Sequence, residues 1–196
     1  MNVNFKNLIK NKALWENLII ILVAVVIYIG FRVTIQPYYV QGPSMQPNYW
    51  ANEKIWVNKL EYKFQAPQRG NILVFQPPMN TDLPYIKRVI GLPGESVEIK
   101  HGSVYVHEAS GSIILLQEPY IKEPFSSDYN SGIIPAGKYF VMGDNRNNSS
   151  DSRGGWLVSA DKIIGKAWVS YWPPSLWKGS QDYRQPAAAA AGTPPN

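Results

Sequence analysis

Cysteine is absent from this 196-residue chain, and histidine occurs only as His101 and His107. The first absence removes disulfides, a thiol nucleophile and every thiolate metal site. It leaves the redox compartment open, because a protein without thiols works on either side of a membrane. The second confines any zinc site or histidine-based triad to two side chains. A basic patch is also missing. Part of the net charge of +5 comes from Lys6, Lys10 and Lys12, which outweigh Glu16 near the start, and the other Lys and Arg residues are scattered among acids. A nucleic-acid partner would want them clustered and interleaved with aromatics on one face, so none is expected. Past residue 50 no segment keeps helical periodicity over three turns.

What is present begins with an apolar run, LIIILVAVVIYIGFRVTI at 18–35, in which Arg32 and Thr34 are the only strongly polar residues. At ~1.5 Å per residue it covers most of a hydrocarbon core of ~30 Å, and residues 13–17 extend it into the headgroups. A cleavable secretory signal would have a shorter apolar region and a small-residue cleavage site, whereas Gln36-Pro37-Tyr38-Tyr39 follows here. The run is read as a transmembrane anchor. The lysines before it place residues 1–17 in the cytoplasm by the positive-inside rule. Residues 36–177 then form a domain on the far side, and 178–196 a mobile Ala/Pro-rich tail, since five alanines between Pro186 and Gly192 are too short to nucleate a helix.

The long middle unit reads as mainly β, an antiparallel sheet domain. Strands are predicted at 53–60, 71–76, 85–92, 112–116, 138–142 and 163–171 from β-rich runs between turn residues. SVEIK and SVYVH, joined by His101-Gly102, predict a tight hairpin with His101 in the turn and His107 at a strand end. Trp50, Trp56 and Trp168 are expected in the core. Trp172 and Trp177, beside Pro173-Pro174, fit either the core or an exposed apolar rim.

Three stretches can carry chemistry. In QGPSMQPNYW at 41–50, Pro43 and Pro47 forbid a regular helix and fix the backbone around Ser44, which presents a hydroxyl or is an unremarkable surface turn. Ser44 lies nine residues after Ile35, so it sits within about 30 Å of the end of the anchor. A serine hydroxyl needs a neighbouring base. Lys87, inside the apolar run YIKRVIG, shares a strand face with Tyr85 and Val89. Keeping an ordinary lysine, pKa ~10.4, neutral at pH 7 costs ~4.6 kcal/mol, and burial that lowers the pKa by 2–3 units removes most of that penalty. An ordinary paired or snorkelling lysine is the alternative. The third stretch, GDNRNNSSDSRGGW at 143–156, is a solvated loop or a rigid polar network in which Asp144, Arg146, Asp151 and Arg153 alternate in sign.

In order along the chain, S-M-x-P at 44–47, RGNILVF at 69–75, YIKRVIGLPGE at 85–95 and GDNRxNSxDSR at 143–153 resemble the bacterial type I signal peptidases, membrane-anchored Ser/Lys endopeptidases that cut signal peptides from exported proteins. The resemblance implies Ser44 as nucleophile and a neutral Lys87 as general base, without metal or cofactor. It implies that Ser149 helps orient the lysine and that the Ser44 N–H is one oxyanion donor. Some relatives place a serine hydroxyl two residues before the nucleophile. Here that position is Gly42, whose backbone amide is expected to substitute. Val40, Met45, Tyr85 and Ile86 are expected to line shallow apolar pockets for the small residues at the −1 and −3 positions of an extended signal peptide. Asp144, Arg146, Asp151 and Arg153 are assigned to structural ion pairs.

Asn147, where an acid is usual, and Gly154-Gly155-Trp156, where an aromatic pair before glycine is commoner, depart from the family pattern in the supporting shell. The implied protein is a single-pass plasma (inner) membrane enzyme whose partners are signal peptides and membrane lipid. Rival assignments are an enzyme dedicated to one substrate, and a non-catalytic anchored β-domain that binds secreted polypeptides. Clipping of the protein's own Ala187 to Gly192 stretch is a further expectation.

Overall fold

The computed structural model describes residues 12–79 and 81–184. Its first element is helix α1 (Lys12–Thr34), with no buried residue and a mean hydropathy of 2.3 over its most apolar window. Its 23 residues span about 34 Å, enough to cross a bilayer core. The helix passes directly into strand β1 (Ile35–Tyr39). The Thr34 carbonyl accepts the Lys59 N–H at 2.8 Å, and Phe31 packs edge-on to Trp56, which stacks on Tyr171. The sequence pattern places Ile35 in the anchor and no strand at 35–39. Pro37 hides β1, and it is tolerated because β1 is an edge strand with β2 as its one neighbour.

The following elements are β2 (Lys54–Asn58), the short helix α2 (Glu61–Phe64), β3 (Ile72–Phe75), β4 (Tyr85–Gly91), β5 (Ser96–Lys100), β6 (Ser103–His107), β7 (Ile113–Leu115), β8 (Tyr129–Ile133), β9 (Lys138–Met142), β10 (Val158–Ser159), β11 (Ile163–Trp172) and β12 (Lys178–Gly179). The larger sheet runs β1-β2-β11-β3-β4-β9-β10, with β12 also on β11, and the smaller runs β7-β6-β5-β8. Every pairing is antiparallel. The mainly β, antiparallel expectation holds. So does the β5–β6 hairpin, whose turn residues His101 and Gly102 have φ of 49° and 79°.

β3 and β4 lie mid-sheet and are covered on both faces. All four residues of β3 and six of the seven in β4 are buried. One apolar cluster unites Val40, Met45 and Tyr49 with Ile55, Val57, Val74 and Ile86. Another joins Leu73, Phe75 and Val89 to Val141 and Val158, and a third fills the smaller sheet and reaches Ile90, Phe140 and Met142. Because a strand points successive side chains to opposite faces, a doubly covered β4 must bury both Lys87 and Arg88, which are 4% and 0% exposed.

Two expectations need correction. Trp50 and Trp168 are not core residues but are 45% and 49% exposed. Trp168 is the extra residue where the β11–β2 register shifts between Ala167 and Val169, so its ring is turned outward, and Trp50 sits in a turn. The folded part also runs past residue 177. β12 pairs with β11, Asp182 accepts the Ile72 N–H at 3.0 Å, and Tyr183 packs on Tyr120. Residues 178–184 are therefore a strap laid across the sheet. The alanine-rich stretch from Ala187 to Gly192 lies outside the described residues.

Candidate active site

Ser44 sits in the turn that follows Val40. Gly42 adopts φ +73°, a left-handed conformation that glycine takes without the strain other residues carry. The Pro43 carbonyl accepts the Gln46 N–H at 3.0 Å and the Met45 carbonyl accepts the Tyr49 N–H at 2.8 Å, closing the turn. Met45 and Tyr49, both wholly buried, pin it to the core beneath. The sequence assigns Met45 to the substrate pocket. The structure instead puts it on the inner side of the turn, because a turn that presents Ser44 outward sends the next side chain inward.

Lys87, opposite Leu73 in the β3–β4 ladder, reaches Ser44. Its Nζ lies 2.7 Å from Ser44 Oγ and donates to the Ile86 carbonyl at 2.9 Å, with the Tyr85 ring 5.1 Å away. Burial pushes its pKa down to about 8 from 10.5, against the opposing pull of the Asp151 and Asp144 charges. Neither histidine is involved. The His101 N–H donates to Asp128 in the hairpin turn, and His107 Nε2 is 2.9 Å from Glu98 on the smaller sheet.

The 143–155 loop is a rigid network, and its ion pairs are not the ones its alternating charges suggest. Only Asp151 and Arg153 pair with each other, at 2.7 Å. Burial works to raise the Asp151 pKa, but Arg153, the Gly143 N–H and nearby Ser149 outweigh it and hold the carboxyl below its ordinary value. Asp144 is gripped by Arg88 through two bonds of 2.7 Å, and Arg146 by Glu118 at 2.6 and 2.7 Å. Asn48 Nδ2 donates to Asp144 Oδ2 at 2.8 Å and to the Tyr120 carbonyl at 2.7 Å, tying the nucleophile turn to this network. Arg88 and Glu118 were missed in the sequence. Arg88 had a signal, a second charge beside Lys87 in an apolar strand, whereas Glu118 lies in a loop and had none.

Ser149 packs against Gly143, whose added Cβ would come within 2.3 Å of its Oγ. That Oγ is buried with no partner at hydrogen-bond distance, so the geometry shows no bond from it to Lys87. It lies beside the site and near the Asp151 carboxylate, whose pKa it helps to lower.

A cleft of about 380 Å³ opens at Ser44 and Lys87. Of the expected lining residues, Val40, Tyr85 and Ile86 contribute, and so does Gly42, whereas Met45 does not. Tyr38 and Leu83 also line it and were not anticipated. The groove sets the Ser44 hydroxyl and the buried Lys87 amine between apolar walls, with Gln41, Thr81, Asn148 and Ser150 also lining it, and has room for an extended peptide. Among the described residues no group of three or more His, Asp or Glu side chains is placed to hold a metal ion.

The profile of the family described as signal peptidase, peptidase S26 matches residues 13–172. Signal peptidase IB of Staphylococcus aureus is 38% identical over 181 residues, covering 85% of this chain and 94% of that protein. A probable signal peptidase I-2 of Synechocystis sp. is 37% identical over 156 residues, covering 76% and 69%. A solved signal peptidase I from Enterococcus faecalis is 32% identical with a TM-score of 0.46, covering 52% of this chain and 97% of that one. The family and the one apolar N-terminal helix suggest a membrane-anchored protein. The chain belongs to the signal peptidase family S26 and is a serine endopeptidase that cleaves signal peptides.

Proposed function

We propose that cleavage proceeds through a Ser44/Lys87 dyad on the extracytoplasmic side of the membrane. The observation that carries this is the 2.7 Å contact between Ser44 Oγ and the Nζ of a lysine that is 4% exposed. With a pKa of about 8, roughly a tenth of Lys87 is neutral at pH 7, against about three parts in ten thousand for an unperturbed lysine. The neutral amine takes the Oγ proton as Ser44 attacks the scissile carbonyl. The resulting ammonium protonates the departing amine, leaving an acyl-serine. Lys87, neutral again, activates the water that releases the signal peptide.

The oxyanion formed on attack is met by the Ser44 N–H and by the Gly42 N–H. A Cβ at Gly42 would meet nothing within 4 Å, so a hydroxyl there has room, but its φ of +73° disfavours any side chain. The backbone amide is therefore the donor this turn supplies. Val40, Tyr85 and Ile86 select small residues at −1 and −3, and the substrate lies along the cleft as a strand. Ser149, whose buried hydroxyl makes no bond to Lys87 in the resting geometry, is assigned to Lys87 once the lysine is charged. The lysines preceding α1 hold the N-terminus in the cytoplasm of a plasma (inner) membrane, and α1 keeps the cleft close to the lipid.

Cleavage of a purified preprotein by Ser44→Ala and Lys87→Ala variants tests the dyad. Both are expected to lose at least about 10³-fold in kcat while keeping the wild-type circular dichroism spectrum. Undiminished cleavage by either folded variant overturns the assignment.

A further inference from the structure

Asn145 is absent from the mechanism above, yet it touches the nucleophile's backbone twice. Its own N–H donates to the Ser44 carbonyl at 3.0 Å, and its side-chain Nδ2 donates to the Pro43 carbonyl at 3.2 Å. The Pro43 carbonyl is held from a second direction by the Gln46 N–H at 3.0 Å. Two residues earlier, Gly143 lies so close that an added Cβ would come within 2.4 Å of the Ser44 carbonyl oxygen. The two loops abut there without space for a side chain, and this seats Asn145 over the turn.

The Pro43 carbonyl and the Ser44 N–H belong to one planar peptide unit, which is not among the cis bonds of this chain. In a trans unit the C=O and N–H point in opposite directions. Fixing the carbonyl with two donors therefore fixes the direction of the N–H. Ser44 lines the cleft, and among the described residues its N–H has no acceptor. A donor held in place before the reaction needs no reorganisation as negative charge develops on the substrate oxygen.

From this geometry we propose that Asn145 is a positioning residue for the oxyanion hole, which aims the Ser44 N–H by clamping the carbonyl at the other end of the same peptide. The proposal rests on the assignment of Ser44 as nucleophile. It differs from loop stabilisation alone because a stabilising residue would move the thermal midpoint and leave transition-state binding untouched.

The experiment compares full-length Asn145→Ala and Asn145→Asp with wild type, and uses Asn147→Ala, an exposed neighbour bonded to the Pro124 carbonyl, as the control. Asn145→Asp keeps the size and the backbone bond to Ser44 but removes the side-chain donor, so it reports on the clamp even where Ala disturbs the loop. Each is assayed for kcat and KM on a signal-sequence peptide, for the pH of the ascending limb, and for affinity toward a peptide aldehyde, which forms a tetrahedral adduct with a serine, against the matching product peptide.

Both Asn145 variants are expected to lose about 10²-fold in kcat and in aldehyde affinity. KM and product affinity should stay as in wild type and in Asn147→Ala for both variants, and the position of the limb should stay there for the uncharged Asn145→Ala. Wild-type kcat in either Asn145 variant, a loss confined to KM, a displaced limb in Asn145→Ala, or unchanged aldehyde affinity overturns the clamp. Ser44→Ala separates this from the dyad. If it still binds the aldehyde tightly, the nucleophile assignment itself fails whatever Asn145 does.

Discussion

Lys87 and Arg88 are adjacent cations on one strand, both buried, and their surroundings differ in almost every respect. Arg88 donates twice to Asp144, once each to the Gly70 and Gln181 carbonyls, and stacks 3.9 Å from the Tyr120 ring. Burial works to lower its pKa, and the bonded carboxylate outweighs that, so the net shift is upward. Lys87 has a serine hydroxyl and one carbonyl, with no carboxylate at hydrogen-bond distance, and its pKa falls to about 8. One face of β4 neutralises its charge and the other leaves it without a counterion. The difference teaches that burial alone does not make a base. Burial without an acid partner does, and the two carboxylates whose charge reaches Lys87, Asp151 and Asp144, are kept occupied by Arg153 and Arg88.

The comparison is most severely broken by removing Asp144. Asp144→Leu leaves the Arg88 guanidinium buried and uncompensated, with an expected loss of about 3–5 kcal/mol in urea unfolding. A smaller effect of opposite sign is expected on the other face. Between pH 8 and 10.5 the unfolded chain holds a proton on Lys87 that the folded chain does not, so stability rises with pH across that window. Below pH 8 the folded protein bears the full cost of a buried ammonium, about 3 kcal/mol from the size of the shift. Lys87→Met should therefore be inactive yet more stable than wild type at pH 7, with the difference shrinking toward pH 10.5. Urea titrations at pH 7 and pH 10 check this, and a destabilised Met variant at pH 7 with no recovery at pH 10 contradicts it.

The strap offers a finer test. Asp182 pairs with Lys166 at 2.9 Å and accepts the Ile72 N–H, and it holds in place the segment whose Gln181 carbonyl completes the Arg88 shell. Asp182→Asn is expected to cost about 1–2 kcal/mol of stability. It should leave the pH profile of cleavage where it is, since the strap's contacts lie with Arg88 and not with Lys87. A displaced profile would show the two faces to be coupled.

That Ser44, Lys87 and the 143–153 loop meet at one cleft was legible in the sequence through the order of the family motifs, and the partners that support them were not. Ser44 between two prolines, Lys87 in an apolar run and the polar 143–153 loop each carry a local signal of composition. Arg88–Asp144 and Arg146–Glu118 join residues 56 and 28 positions apart, and no local pattern reports such partners. Met45 is assigned to the pocket by resemblance alone, and its complete burial on the inner side of the turn depends on packing that no local pattern reports. Among the strands, β9 came out at its observed bounds from five clean residues. β8 (YNSGI), with no buried residue, looked like a loop because an edge strand without a buried face lacks a period-2 pattern. Residues 178–184 read as a tail because their contacts are made by backbone groups and by the scattered side chains of Lys178, Asp182 and Tyr183, not by an apolar stripe.

The pH dependence of kcat/KM for a signal-sequence peptide tests most directly whether Lys87 is the uncompensated cation that acts as the base, because this ratio reports ionisations of the free enzyme. The account predicts an ascending limb centred near pH 8, the pKa to which burial lowers Lys87. A limb near the ordinary lysine value of 10.5, or activity independent of pH from 6 to 10, would contradict it.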